Sequence, residues 1–337
     1  MLETIWFLLW GILWAVYFML DGYDLGLGSV MPFLAKSEKD KKTIYNSMGP
    51  FWDGNEVWLV TAGGVTFAAF PTAYAVMFSG LYTALMLLLM ALIVRGVAFE
   101  FRGLVESDWS RKFWDGAMVV GSTLPGLLLG VAFANIFQGI PINAEGVFQG
   151  GLLTLLNTYG LAGGILFVLL FAMHGCLWLA VRTTGDLNAR AGNLAATIWP
   201  LLVAVYASFL ALTSIYTKLL SNYLTHPALL LILLIPIFAI VMIRTYISAQ
   251  KWWLAWTCSA ALIFSTTMFG IIGLFPALLP SSINPAFSIT IHNAASSQMT
   301  LKIMLTVALT MVPVVIAYQF WMHKLFATKI TDEDIGY

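Results

Sequence analysis

The feature that most limits this chain is a series of long apolar runs. Nine of them, near residues 4–34, 51–71, 74–99, 113–138, 153–181, 193–217, 227–248, 252–276 and 299–325, are each long enough for the ~20 apolar residues that cross a bilayer as a helix. The weakest boundary lies between the second and third, where only Pro71 and Thr72 mark a turn. Charged residues are 9% of the 337 and hydrophobic ones 60%, whereas a soluble domain carries about 25% charge. The expectation is an all-α polytopic membrane protein, one integral membrane domain over 1–337. Four helices, a link and four helices suit two four-helix bundles plus one extra helix. Zero net charge points to no nucleic-acid or acidic partner. The first run has no basic start, only Glu3, and reads as a retained helix and not a cleaved leader.

Lysine and arginine give the orientation. Fourteen of the sixteen fall on one side: Lys36 to Lys42 after the first run, Arg95 to Lys112 around the third connection, then Arg182 and Arg190, Arg244 and Lys251, Lys324 and Lys329. Only Lys218 and Lys302 fall on the other. Cytoplasmic loops carry the positive excess, which predicts an outside amino terminus and a cytoplasmic carboxyl terminus. The external connections near 139–152 and 277–298 are nearly uncharged, rich in Gly, Pro, Asn and Ser, and read as folded-over caps.

Within this frame the stretch from Gly49 to Trp58 stands out, with two carboxylates, an amide and two indoles at one helix start. Pro50 suits a first helical turn. Asp53 and Glu56 are three apart and share a face; Asp53 lies where the helix dipole favours negative charge. At 1.5 Å per residue, Asp21 and Asp24 lie about 26 and about 30 Å along the first span, in the inner leaflet. Asp21, Asp24, Asp53, Glu56, Arg95, Glu100 and Asp115 therefore share one layer near the cytoplasmic face. Buried charges cost several kcal/mol each unless paired, so an ion-pair network with Arg95 is expected, with Asp24 or Asp115 as partners. The acids outnumber the bases, and an ionisable residue within a span is a functional candidate. The competing reading is that Asp53 and Glu56 merely cap their helix and pair with loop lysines.

Ligands for a redox centre are scarce. His174, His226, His292 and His323 do not pair at helical spacing with each other or with Cys176 and Cys258, which read as small core residues. His174 reads as a hydrogen-bonded core histidine. There is no nucleotide loop, zinc pattern or nucleophile elbow, so neither a metal site nor catalytic residues are expected in this chain.

The residues do resemble a known family. Asp21-Gly22-Tyr23-Asp24-Leu25-Gly26 is similar to the DGxDxG element of subunit II of the bacterial cytochrome bd-type quinol oxidases. Gly49 to Trp58 resembles that family's GPxWDGNEVW signature, Arg95 to Arg102 its RxVxFEFR segment, and Trp114-Asp115 the start of its fourth helix. Pro280-Ser281-Ser282 and Ala295 to Leu301 extend the likeness to the end of the chain. Departures are Phe51 where some members have His, Gly96 where Pro often follows the arginine, and His292-Asn293 where some relatives have Trp-Asp.

The resemblance implies a haem-free subunit of a terminal respiratory oxidase in the bacterial cell membrane. It would pack along a pseudo-twofold against a subunit I that holds haem b and haem d, oxidises quinol on the outer side and reduces oxygen to water. It would help supply protons from the cytoplasm, making Asp53, Asp24, Glu56 and Asp115 the candidate proton pathway and Arg95, Asp21 and Glu100 the candidate structural ion pairs. Trp52 matches a tryptophan beside a structural quinone in some members and is the candidate quinone contact. A small single-helix accessory subunit and membrane lipid are the remaining candidate partners. The runner-up is a stand-alone proton-coupled transporter, for which broken helices at the bilayer midplane are expected; a third reading is a structural scaffold.

Overall fold

A computed structural model describes residues 1–326 and 328–330; residue 327 and residues 331–337 of the expected domain lie outside it. The chain runs α1 (Leu2–Leu34), α2 (Glu38–Met48), α3 (Trp52–Ala69), α4 (Pro71–Gly80), α5 (Tyr82–Leu104) and α6 (Asp108–Gln138). It continues through α7 (Leu152–Leu155), α8 (Thr158–Arg182), α9 (Gly185–Tyr216), α10 (Leu220–Thr225), α11 (Leu231–Ser248), α12 (Trp252–Leu274), α13 (Ile291–Ala294) and α14 (Gln298–Leu325). Among the described residues, eight helices are long and apolar enough to cross a membrane. The ninth expected span is α3. Its 18 residues reach about 27 Å at 1.5 Å per residue, but Asp53, Asn55 and Glu56 lower its hydropathy.

The helices form two groups of four. α1, α3, α5 and α6 pack together, as do α8, α9, α11 and α12; α1 and α6 against α8 join the groups. α14 stands apart as the extra helix. At the centre α1 and α8 touch backbone to backbone. A Cβ on Gly26 would lie 1.6 Å from the Phe171 carbonyl oxygen, and one on Gly175 would lie 2.3 Å from the Leu27 nitrogen. Small residues at such crossings are what let membrane helices approach.

Three boundaries differ from expectation. The predicted span 74–99 is two helices: α4 ends at Gly80, and α5 begins at Tyr82 and runs further inward. Proline at the first helical position starts α4, which packs on α3, α13 and the outer strands. Pro50 lies before α3, in the turn joining it to α2. The lysine-rich connection folds into α2 because Ser37 and Asp40 form a reciprocal capping box.

The outer connections fold over as caps and pair with each other. Strands Ala277–Leu279 and Ile289–Thr290 form a small antiparallel ladder. Ile140 donates to the Pro280 carbonyl at 3.0 Å, and Ser282 donates back to the Ile140 carbonyl at 3.0 Å.

Candidate functional site: a layer of charge at one end of the bundle

The charged side chains gather where α1, α5, α8, α11 and α14 end and α3, α6, α9 and α12 begin. Two kinds of cluster occupy this end.

The first kind is buried. Arg95 from α5 grips Asp21 from α1 with a two-pronged contact, Nη1 to Oδ2 at 3.1 Å and Nη2 to Oδ1 at 2.7 Å. Both side chains are 0% exposed. Fork-to-carboxylate geometry is the strong form of this interaction. Gly121 of α6 makes room for it, since a Cβ there would lie 2.9 Å from the Arg95 backbone nitrogen. One turn along α1, Asp24 is also wholly buried. Its Oδ2 accepts a 2.7 Å hydrogen bond from Asn55 Nδ2, which also donates to the Tyr23 hydroxyl at 2.7 Å. Asn55 is the amide of the Gly49–Trp58 stretch, so α3 delivers it to α1 directly.

Around this cluster several buried polar atoms have no hydrogen-bond partner among the described residues: Asp24 Oδ1, Glu56 Oε2, Asn55 Oδ1 and Arg95 Nε. Arg95, Asp21 and Glu56 are all close enough to act electrostatically on Asp24. Buried unpartnered polar atoms are rare and call for a functional account; these oxygens can accept a proton or a water. Nearer the start of α3, Asp53 is exposed. Trp52 is half-buried and stacks on Phe99 of α5, 4.9 Å between ring centres and 4° from parallel. Gly96 lies under it, with a Cβ position 3.5 Å from the indole.

The second kind is partly wet. Asp115 of α6 accepts from Arg102 Nε at 2.7 Å and from Lys41 Nζ at 2.7 Å. Arg102 also reaches Glu38 at 2.6 Å. Asp40 accepts from the backbone nitrogens of Lys36 and Ser37 at 2.8 and 3.1 Å and pairs with Arg190 at 2.8 Å. Arg190 in turn holds Asp186. Burial alone would raise the Asp40 carboxyl, but these hydrogen bonds and the Arg190 charge hold it below its ordinary value. Together these contacts bind α2 to α5, α6 and α9.

Of the residues expected to form the structural ion pair, Arg95 and Asp21 meet; Asp24 and Asp115, also expected as partners of Arg95, do not bond to it. Asp115 belongs to Arg102 and Lys41, because it starts α6 just across the loop from the end of α5. Glu100, expected in the buried network, is exposed and makes no ion pair among the described residues, since it points away from the face that carries Arg95 and Arg102. Sequence reasoning did not find the Asn55–Asp24 bond, the Tyr17 hydroxyl beside Asp21 or the Glu38–Lys41 arm. The helical spacing of Tyr17, Asp21 and Asp24 along one face of α1 was the available signal.

His174 is a core residue. Its Nε2 lies 3.0 Å from the Met19 carbonyl oxygen and its Nδ1 2.5 Å from Ser259 Oγ, so both ring nitrogens are engaged. Trp256 stacks on its face at 5.2 Å. Among the described residues no cluster of His, Cys, Asp and Glu has the makings of a metal site.

Comparisons with known proteins agree over nearly the whole chain. Residues 2–326 match the family described as cytochrome bd terminal oxidase subunit II. Cytochrome bd ubiquinol oxidase subunit 2 of Bacillus subtilis is 36% identical over 335 residues, covering 99% of this chain and 98% of that protein. Cytochrome bd-I ubiquinol oxidase subunit 2 of Escherichia coli is 33% identical, covering 99% and 96%. A chain of the bd oxidase from Geobacillus thermodenitrificans shares the fold, with a TM-score of 0.76 at 18% identity over 96% of this chain and 98% of that one.

Proposed function

Because this chain belongs to the cytochrome bd terminal oxidase subunit II family, we propose that it carries protons from the cytoplasm toward the oxygen-reducing centre of its complex. Family membership makes it a multi-pass protein of the bacterial inner membrane and part of an oxidoreductase complex that contains haem and reduces oxygen. Haem b and haem d then sit in subunit I, which also oxidises the quinol. The engagement of both His174 nitrogens supports this division. The stand-alone transporter is set aside on family grounds.

One observation carries the proton reading: an exposed carboxylate stands in front of two buried carboxyl oxygens that no group among the described residues satisfies. Asp53 meets the cytoplasm at the start of α3. Glu56, three residues on, is on the same face with Oε2 unpartnered, and Asp24 lies behind with Oδ1 unpartnered. Asn55 orients Asp24 through its other oxygen. A proton taken at Asp53 passes by Glu56 to Asp24, and from there toward subunit I. Arg95 stays locked to Asp21, so it supplies a fixed positive field and no proton. Asp115, bound by two cations, holds the helix ends in register instead of relaying. Oxygen reduction in the partner supplies the demand for protons.

Trp52, rigid on Phe99 and half-buried, offers a flat aromatic ledge that suits a structural quinone ring. The exposed apolar faces of α11 and α14 leave surface for subunit I, lipid and a single-helix accessory subunit.

The test is Asp53→Asn in the assembled complex, which keeps shape and hydrogen bonding but carries no proton. Haem content stays normal, oxygen turnover falls about a hundredfold or more, as the contribution of positioned acid–base groups predicts, and Asp53→Glu restores part of it. Unchanged turnover at full haem content overturns the relay. Loss of haem as well returns Asp53 to a helix-capping role.

A further inference from the structure

α14 is held to the rest of the molecule at its two ends and stands off between them. At the outer end Trp6 Nε1 donates to the Leu301 carbonyl at 3.0 Å. At the inner end Gln319 Nε2 donates to the Gly54 carbonyl at 3.1 Å, and the His323 ring lies 4.8 Å from that of Phe51. Among the described residues Leu301 is the only buried side chain of α14. Between the two ties lies a groove of about 940 Å³. Its walls are apolar: Leu9 and Val16 of α1, Trp58 and Val65 of α3, Trp256 of α12 and Val312 of α14.

The walls and ties limit what can fill this space. Water has no partners along apolar walls, and apolar cavities stay dry. A partner helix, about 10 Å across, would have to break both ties to enter. A hydrocarbon chain is thin enough and apolar enough.

The inner end differs from the rest of the groove. His323 and Lys324 line it, with Trp253 beside them at the start of α12. Lys324 is exposed and makes no ion pair among the described residues. Lys324, one residue from the inner end of α14, lies at the level of a phosphate. Basic pockets between helices on the cytoplasmic side are the usual setting for anionic headgroups.

We propose that this groove is a binding site for one anionic phospholipid, with an acyl chain between α14 and the α1–α3–α12 face and the phosphate at Lys324. The lipid replaces the side-chain packing that α14 lacks and fixes the helix to the bundle.

The site is tested on the complete complex, stripped of loosely held lipid by prolonged detergent exchange and examined by native mass spectrometry. The complex retains one phospholipid. On reloading it prefers phosphatidylglycerol to phosphatidylcholine, and Lys324→Gln lowers the phosphatidylglycerol affinity about fivefold, as about 1 kcal/mol per surface cation predicts. Val312→Trp, which fills the groove, removes the lipid whatever its headgroup. Lys324 is exposed, so K324Q decides the matter should V312W fail to assemble. Equal binding of the two lipids, an unchanged affinity in K324Q, lipid retained in a folded V312W complex, or a stoichiometric quinone in place of phospholipid each overturns the proposal.

Discussion

Replacing Arg95 with alanine should damage the complex more than any other single removal of a cation. The pair with Asp21 has two contacts, at 2.7 and 3.1 Å, and neither side chain is exposed. Truncating one partner strands the other charge in a dry bundle, at roughly 3–5 kcal/mol. At 1.4 kcal/mol per tenfold, that is a shift of about two to three and a half orders of magnitude in the folding or assembly equilibrium. Arg111 is the control. Its side chain is 38% exposed and its contact with Asp108 is 3.9 Å, so Arg111→Ala should cost roughly 0–1 kcal/mol. The assay is the thermal melting of the purified haem-loaded complex, with its yield from membranes. Arg95→Ala should melt far below wild type and Arg111→Ala beside it. A double variant, Arg95→Met with Asp21→Leu, removes both charges and should recover much of the loss, because the penalty comes from the stranded carboxylate. Equal melting of the two single variants, or a double variant as unstable as Arg95→Ala, would refute the argument.

Other expectations are as direct. Gly26→Ala should block assembly, because its Cβ would collide with the Phe171 carbonyl at the α1–α8 crossing; Gly63→Ala, with nothing within 4 Å, should assemble normally, and haem-loaded yield distinguishes them. Asp40 titrates low in the folded protein, so its stabilisation is fully present above the unfolded carboxylate range and is lost as pH falls through the folded value. Melting followed downward from neutral pH should therefore show an acid-side loss that Asp40→Asn lacks, and identical acid profiles would count against the tie. A topology reporter in the Lys36–Lys42 connection should read cytoplasmic and one at Ser281 external, following the cationic bias; the reverse would invert the assigned direction of proton uptake.

The sequence by itself determined the spans, the side on which the charge collects and the layer in which the acids lie. These are one-dimensional properties: bilayer thickness fixes the length of each run, and counting residues along a helix of constant rise gives depth. Even the exceptions were local, since α4 splits from α5 at Gly80 and α2 forms around the Ser37–Asp40 box. Which acid meets which base was decided only by the tertiary structure. Asp21 and Asp24 differ in depth by less than one turn, yet the first takes Arg95 and the second takes Asn55. Asp115 looked as suitable for Arg95 as Asp21 did, and Glu100 looked buried. Depth does not specify rotation about a helix axis. That rotation is set by close packing: the glycine crossing of α1 on α8 and Gly121 beneath Arg95 fix which faces of α1 and α5 meet, and the side chains left on the other faces turn to loop partners or to water.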